Sequence, residues 1–338
     1  MFDHFRRLFR RRHPDVRETR VGGCGNGVAA VRPERPARRP ATDPTAGDRP
    51  TGERLVFVGG VPRSGTTLLQ HVLDSHPAVF GGPEFDHVPT LAAAWRAVSG
   101  AWESGRIRAY CSPDQIDRAF ARLVEDLLLP AGDACGARIV SEKTPFNVHH
   151  FIDVLELLPK CRAIHIVRDP RAVVSSLLRV GDRCRAKGVP APEFAHDVRS
   201  AVRFTTTALA AGFRAAELFP DRVLTLTYEA LVGQPEPTVR RVCAFVGLDF
   251  DPRLLEPHAV KHPAADDVAA LDGGKWGDPS LASRPIEQSR VRAWEADLTA
   301  TEGALVTAAF RDHADLRALG YRFNADGRTA HTRSSRAA

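Results

Sequence analysis

"RLVFVGGVPRSGTTLLQHVLDSHP", residues 54–77, decides the reading of this chain. The opening "RLVFVGG" is a short apolar run ending in glycines, the pattern of a parallel strand buried on both faces. "TTLLQHVLDSHP" then sets Leu68, Leu69, Val72 and Leu73 at helical spacing, with Pro77 as a stop signal. A strand, a glycine-containing turn and a helix in that order predict a phosphate-binding loop. Glycines there let backbone N–H groups converge on an anion, and the helix N-terminus adds partial positive charge. Ser64, Thr66 and Thr67 add hydroxyl donors, although an ordinary glycine-rich turn is the plain alternative.

The loop departs from G-x-x-x-x-G-K-[ST], because Gly60 and Gly65 are followed by Thr66 and Thr67. The lysine that meets the terminal phosphates of a nucleoside triphosphate is missing. Arg63 instead supplies a planar, permanently charged fork from within the loop. A ligand other than a triphosphate is predicted. No strand-terminal Asp stands in a clear magnesium-binding role, since Asp169 lies between Arg168 and Arg171, so a metal-free mechanism is expected.

The same alternation recurs downstream. "SPDQIDRAFARLVEDLLLP" opens with a Ser112 cap and Pro113 in the first turn, and "ARIVSEKTP" reads as a strand. "NVHHFIDVLELLP" is helical, "CRAIHIVRDP" a strand, and "PRAVVSSLLRV" helical again. "DRVLTLTYEAL" then reads as a strand leading to the helix "PEPTVRRVCAFVGL", closed near Gly247. Residues 262–290 are irregular, and a last helical stretch covers 297–318. This order predicts an α/β fold, a single domain over 54–322 with a mainly parallel sheet flanked by helices.

Residues 1–53 carry twelve Arg against seven Asp and Glu, so +5 of the formal charge of +6 sits there. Dense in Pro, Arg and Gly, this stretch reads as a disordered basic tail, and 323–338 as a polar one. The apolar residues near the start are interrupted by charges, which does not fit a secretory signal, and no apolar run is long enough to span a membrane. The six cysteines are scattered without metal-ligand spacing, as in a reduced, soluble, cytoplasmic protein.

"FVGGVPRSGTTLL" and "IHIVRDPRAVVSSLL" together resemble the two nucleotide-binding signatures of sulfotransferases that use 3′-phosphoadenosine 5′-phosphosulfate (PAPS). With "LDSHPAVFGGPE", "EKTPF" and "LTYEALV", the resemblance is to the tyrosylprotein sulfotransferase-like branch and covers most of residues 54–295. It implies the P-loop-type sulfotransferase fold and PAPS as co-substrate, without a metal. Residue by residue, it implies that Arg63, Ser64, Gly65, Thr66 and Thr67 hold the 5′-phosphosulfate, and that Arg168 and Ser176 hold the 3′-phosphate. Glu84 falls at the family's general base, Lys143 at the lysine that stabilises charge during transfer, with Arg63 assisting, and Tyr228 at a cofactor-contacting tyrosine. Toward the C-terminus Arg292 stands near the family's lysine, Ser283 or Ser280 matches its loop serine, and Arg179 lies one position from another family arginine.

Taken singly, these residues have plainer readings. Glu84 would be a solvated charge, Lys143 a partner of Glu142, Arg168 a partner of Asp169 or Glu142, and Tyr228 a core tyrosine. Pro83 and Asp86 also replace a glutamate and a substrate-contacting arginine of the family, so the hydroxyl acceptor can be a small molecule, glycan or lipid as well as a protein tyrosine. No nucleic-acid partner is expected, and a homodimer is compatible with this reading. Two other functions stay open: a P-loop kinase using ATP and magnesium, and a non-catalytic anion-binding module whose basic tail engages nucleic acid or a membrane.

Overall fold

The computed structural model describes residues 50–262 and 284–323. The chain divides between Ala46 and Gly47, and every described residue belongs to the second unit. Most of both expected tails, and 263–283 of the irregular segment, lie outside the described residues. Residues just before Arg54 pack against the domain: Gly52 N donates to Glu125 Oε1 at 2.8 Å, and Lys160 N donates to the Thr51 carbonyl at 2.8 Å. At the other end Phe323 is buried.

Five strands form one parallel sheet: β1 Leu55–Gly60, β2 Val79–Gly81, β3 Ile139–Lys143, β4 Arg162–Val167 and β5 Val223–Thr227, in the order β2-β3-β1-β4-β5. The helices are α1 Thr66–Asp74, α2 Val88–Glu103, α3 Pro113–Ala134, α4 Phe151–Leu157, α5 Pro170–Ala186, α6 Val198–Leu218, α7 Tyr228–Gly233, α8 Pro235–Val246, α9 Trp294–Asp297, α10 Ala300–Phe310 and α11 Ala314–Ala318. Every residue of β1 is buried, as a strand covered on both faces requires. Its side chains alternate between two cores. Leu55 and Phe57 join the face packed by α3 to α6, while Val56 and Val58 join the face packed by α1, α7 and α8.

Each expected strand and helix forms, with differences in extent and number. The Ser112 capping box closes, with Gln115 N donating to Ser112 Oγ and Ser112 N to Gln115 Oε1. Helix α3 nevertheless runs on through Pro130 to Ala134. The last helical stretch is broken into α9, α10 and α11, and the segment before α4 is a 3-10 turn over Pro145–His150. Strand β2 and helices α2, α6 and α7 are additional, and the "YEAL" end of the expected strand "DRVLTLTYEAL" lies in α7.

The strand order places the functional residues. From β1 the chain passes to β2 and β3 on one side, and β4 and β5 lie on the other, so β1 sits at the topological switch point, where ligands bind beyond the carboxyl ends of the strands. The registers Val58↔Lys143 and Gly60↔Ile166 set the end of β3 on one flank of the loop after β1 and the end of β4 on the other.

Candidate active site

The loop leaves β1 at Gly60 and enters α1 at Thr66. Arg63 and Gly65 both have positive φ, 77° and 101°. Gly65 caps α1 in the left-handed conformation, and a Cβ there would lie 2.5 Å from the Tyr228 ring. Glycine is required at this point both by its backbone and by its neighbour. Tyr228, at the start of α7, thus forms a wall of the loop and is itself buried. Ser64 is fully buried and its hydroxyl has no hydrogen-bond partner; Thr66 is buried and Thr67 exposed.

On the β3 flank, Lys143 Nζ lies 2.5 Å from Glu84 Oε1 and 3.4 Å from Thr67 Oγ1. The lysine side chain is 8% exposed and the glutamate 39%, so the cation is held inside while the carboxylate reaches the surface. Lys143 is therefore paired across the site with Glu84. Its chain neighbour Glu142 faces elsewhere, with its carboxylate engaged by Thr144, Asn147 and the Phe85 amide. Strand alternation sends adjacent side chains to opposite faces, so the plainer alternative, a Glu142–Lys143 pair, does not form.

On the β4 flank the arginines converge. Arg63 Nε donates to Ser176 Oγ at 3.1 Å, so its guanidinium points toward the second signature. Arg168 Nη1 donates to the Arg63 carbonyl at 3.0 Å and Nη2 to the Arg290 carbonyl at 2.5 Å, and the guanidinium stacks 4.3 Å from the Tyr228 ring centre. The Arg168 Nε is buried without a partner. Burial, and then the charges of Arg183, Arg168, Arg290 and Arg179, lower the Arg63 pKa to about 10. Ser176, Arg179 and Arg183 are spaced i, i+3 and i+7 on α5, one face of a helix.

The plainer partners of Arg168 are occupied otherwise. Asp169 caps α5 and takes a two-pronged ion pair from the fully buried Arg171, which engages both of its carboxylate oxygens. Arg171 in turn stacks on Trp294 and Phe323 and donates to the Arg322 carbonyl. Glu229 accepts from Asp169 N at 3.0 Å and from the Tyr321 hydroxyl at 2.5 Å. The turn carrying Arg168 is thus braced from behind by C-terminal residues.

The expected site residues therefore fall into two groups around one loop. Arg63, Ser64, Gly65, Thr66, Thr67, Arg168, Ser176 and Tyr228 gather together, with Glu84 and Lys143 at one side. Arg292 is different: it is exposed and paired with Glu295 at 2.7 Å, and the arginine whose charge bears on Arg63 from this segment is Arg290. Ser280 and Ser283 lie outside the described residues. Arg179 pairs with Asp297 at 2.9 Å. Sequence reasoning missed Arg183, Arg290 and Glu142. Only Arg183 left a signal, its helical spacing from Ser176.

The sulfotransferase family profile matches residues 56–252, more than half of the chain. Protein-tyrosine sulfotransferase A of Caenorhabditis elegans is 28% identical over 206 residues, covering 60% of this chain and 52% of that protein. The nodulation protein NoeE of Sinorhizobium fredii is 28% identical over 277 residues, covering 75% of this chain and 62% of that one. The chain thus spans about half the length of the C. elegans relative. Among solved structures, the sulfotransferase domain from the curacin biosynthetic pathway aligns with a TM-score of 0.53 at 19% identity, over 80% of this chain and 98% of that one, a likeness of fold. By profile and fold together, this chain is a member of the sulfotransferase family.

Proposed function

We propose that the protein transfers a sulfuryl group from PAPS to a hydroxyl acceptor, with Glu84 as general base. The observation that carries this reading is the opposite chemistry of the loop's two flanks: a paired base and cation at Lys143–Glu84, and converging arginines at Arg63–Ser176–Arg168. The residues fit a nucleotide with phosphates at both ends of its ribose. The unpartnered Ser64 hydroxyl and Arg168 Nε are buried polar atoms that an anion would satisfy, and the arginines that, after burial, lower the Arg63 pKa are positive charge that an anion would neutralise.

PAPS supplies an activated sulfuryl group whose departure leaves adenosine 3′,5′-bisphosphate. The chain's own residues do the rest. Ser64, Gly65, Thr66 and Thr67 would hold the 5′ end with loop amides and hydroxyls. Arg168 and Ser176 would hold the 3′-phosphate, and Arg63, expected at the 5′-phosphosulfate but donating to Ser176, would add charge toward that end with Arg183 and Arg290. Glu84 Oε1 takes the proton of the acceptor hydroxyl, which is a poor nucleophile until that proton leaves. Lys143, between Glu84 and Thr67, offsets negative charge where it develops.

The acceptor side carries Asp86 beside Glu84, and burial followed by the Glu84 charge pushes the Asp86 carboxyl above the usual carboxylate range. Two carboxyl groups there disfavour an acidic peptide. A small-molecule, glycan or lipid hydroxyl, or a tyrosine without acidic neighbours, fits better.

Calorimetry should show adenosine 3′,5′-bisphosphate binding at least about tenfold more tightly than adenosine 5′-phosphate, the worth of one charge-assisted contact. Equal weak affinity would remove Arg168 and Ser176 from the site. Glu84→Gln should bind the bisphosphate normally and transfer about 10²- to 10⁴-fold more slowly. Screening extracts for a mass gain of one sulfuryl group identifies the acceptor, and magnesium-dependent ATP consumption in place of PAPS turnover would overturn the proposal.

A further inference from the structure

We infer that Glu142 is the positioning residue for Glu84: with Thr144 it fixes the backbone that carries the base, so that transfer depends on it and nucleotide binding does not. This rests on the reading of Glu84 as the base. Glu142 is 4% exposed, a carboxyl buried on the face of β3 opposite Lys143. An apolar side chain would fill that place at less cost unless the carboxylate had work there.

Its contacts show what that work is. Oε1 accepts from the Phe85 amide at 3.2 Å and from Thr144 Oγ1 at 2.7 Å, and Oε2 accepts from Asn147 Nδ2. Thr144 Oγ1 accepts in turn from the Asp86 amide at 3.2 Å. The two residues that follow Glu84 are therefore both gripped by the end of β3. Those before it are tied to α1: Gly81 N donates to Asp74 Oδ1 at 2.7 Å, and Gln70 Nε2 donates to the Gly82 carbonyl at 3.3 Å. Glu84 stands between these two clamps, its side chain paired with Lys143. Burial pushes the Glu142 carboxyl above the usual range, while its donors Thr144, Asn147 and the Phe85 amide pull the other way. A single strand end thus sends Lys143 to the front of Glu84 and Glu142 to its backbone.

The test uses the full chain, PAPS and 4-nitrophenol as the acceptor probe. In Glu142→Gln one of the two acceptor oxygens becomes an N–H₂ donor and the charge is lost, so the hold on the Phe85 amide, Thr144 and Asn147 weakens, and amide exchange across 84–87 should quicken about tenfold. Turnover should fall about 10- to 100-fold, as a displaced base would require. Affinity for adenosine 3′,5′-bisphosphate should stay within about twofold, since no binding contact is removed. In a Glu84→Gln background the same change should cost nothing further, whereas a general structural defect would add its own loss. Thr144→Val should reproduce the defect and Thr144→Ser recover most of it, which carries the test if Glu142→Gln fails to fold. Unchanged turnover in both Glu142→Gln and Thr144→Val, or bisphosphate affinity falling in step with turnover, overturns the inference. If Glu84→Gln itself transfers normally, the base assignment falls and the positioning role with it. Loss in Glu84→Gln beside normal Glu142→Gln and Thr144→Val removes the positioning role alone.

Discussion

At Arg63 two expectations meet, because this residue sits in the loop yet reaches Ser176 on α5. Its charge is crowded by its neighbours, which lowers its pKa to about 10, burial first and the arginines after. The sign of the consequence is fixed. Repulsion among fixed cations opposes the folded state, and an anion that neutralises them must stabilise it. At a hundred times its dissociation constant a ligand adds about 2.7 kcal/mol, which in a domain of this size raises Tm by roughly 5–10 °C. Adenosine 3′,5′-bisphosphate should produce that rise in a thermal melt, and Arg63→Ala should lose most of it. An unchanged rise would place the phosphate elsewhere. The strand, turn and helix around Ser64 to Thr67 were legible because an apolar run, closely spaced glycines and a helical period mark them locally. Glu142 was not, since a Glu beside a Lys reads as a pair until the strand's alternation separates them.

Among the elements, α5 carries Ser176, Arg179 and Arg183, and its seating sets where those groups point. Gly181 lets it seat: a Cβ there would come within 2.1 Å of the Ala195 carbonyl oxygen, a backbone atom that cannot swing aside. Gly181→Ala should therefore destabilise the protein by about 1–3 kcal/mol, the cost of overpacking, and weaken bisphosphate binding as well. Gly303, in α10, has open space around it, so Gly303→Ala should stabilise by about 0.5–1 kcal/mol through helix propensity. Urea unfolding of the two variants checks both signs at once, and a shift in the same direction for both would contradict the packing argument. The strong apolar runs made β1, β3, β4 and β5 legible. Strand β2 has three residues, too few to show a period, and α2 begins at His87 without a side-chain cap to announce it.

For the molecule as a whole, the sheet order was beyond the reach of sequence, because pairing between distant strands leaves no local trace; only the alternation of strands and helices could be read. One buried group ties the whole fold to pH. His165 on β4 is fully buried with neither ring nitrogen hydrogen-bonded, and its ring lies against Gly212 of α6. Burial lowers its pKa from 6.5 to about 3. The unfolded chain therefore takes up a proton below pH 6.5 that the folded chain refuses until about pH 3. Stability should fall across that window as pH drops, by on the order of 4 kcal/mol in all. His71, lowered to about 4 by burial, then His262 and Lys143, acts in the same direction. Unfolding curves at pH 7 and pH 4.5 should show a smaller loss in His165→Leu than in the parent, and equal losses would absolve His165. The bracing behind Arg168 has a consequence of a different kind. Arg168 bonds to the Arg290 carbonyl, Arg171 to the Arg322 carbonyl, and Glu229 to Tyr321. These partners are synthesised after the loop at residues 61–65, about 260 residues later in the case of Arg322, so the turn carrying Arg168 is held in place only once that much more of the chain exists. A nascent chain halted before that point has the loop without the brace.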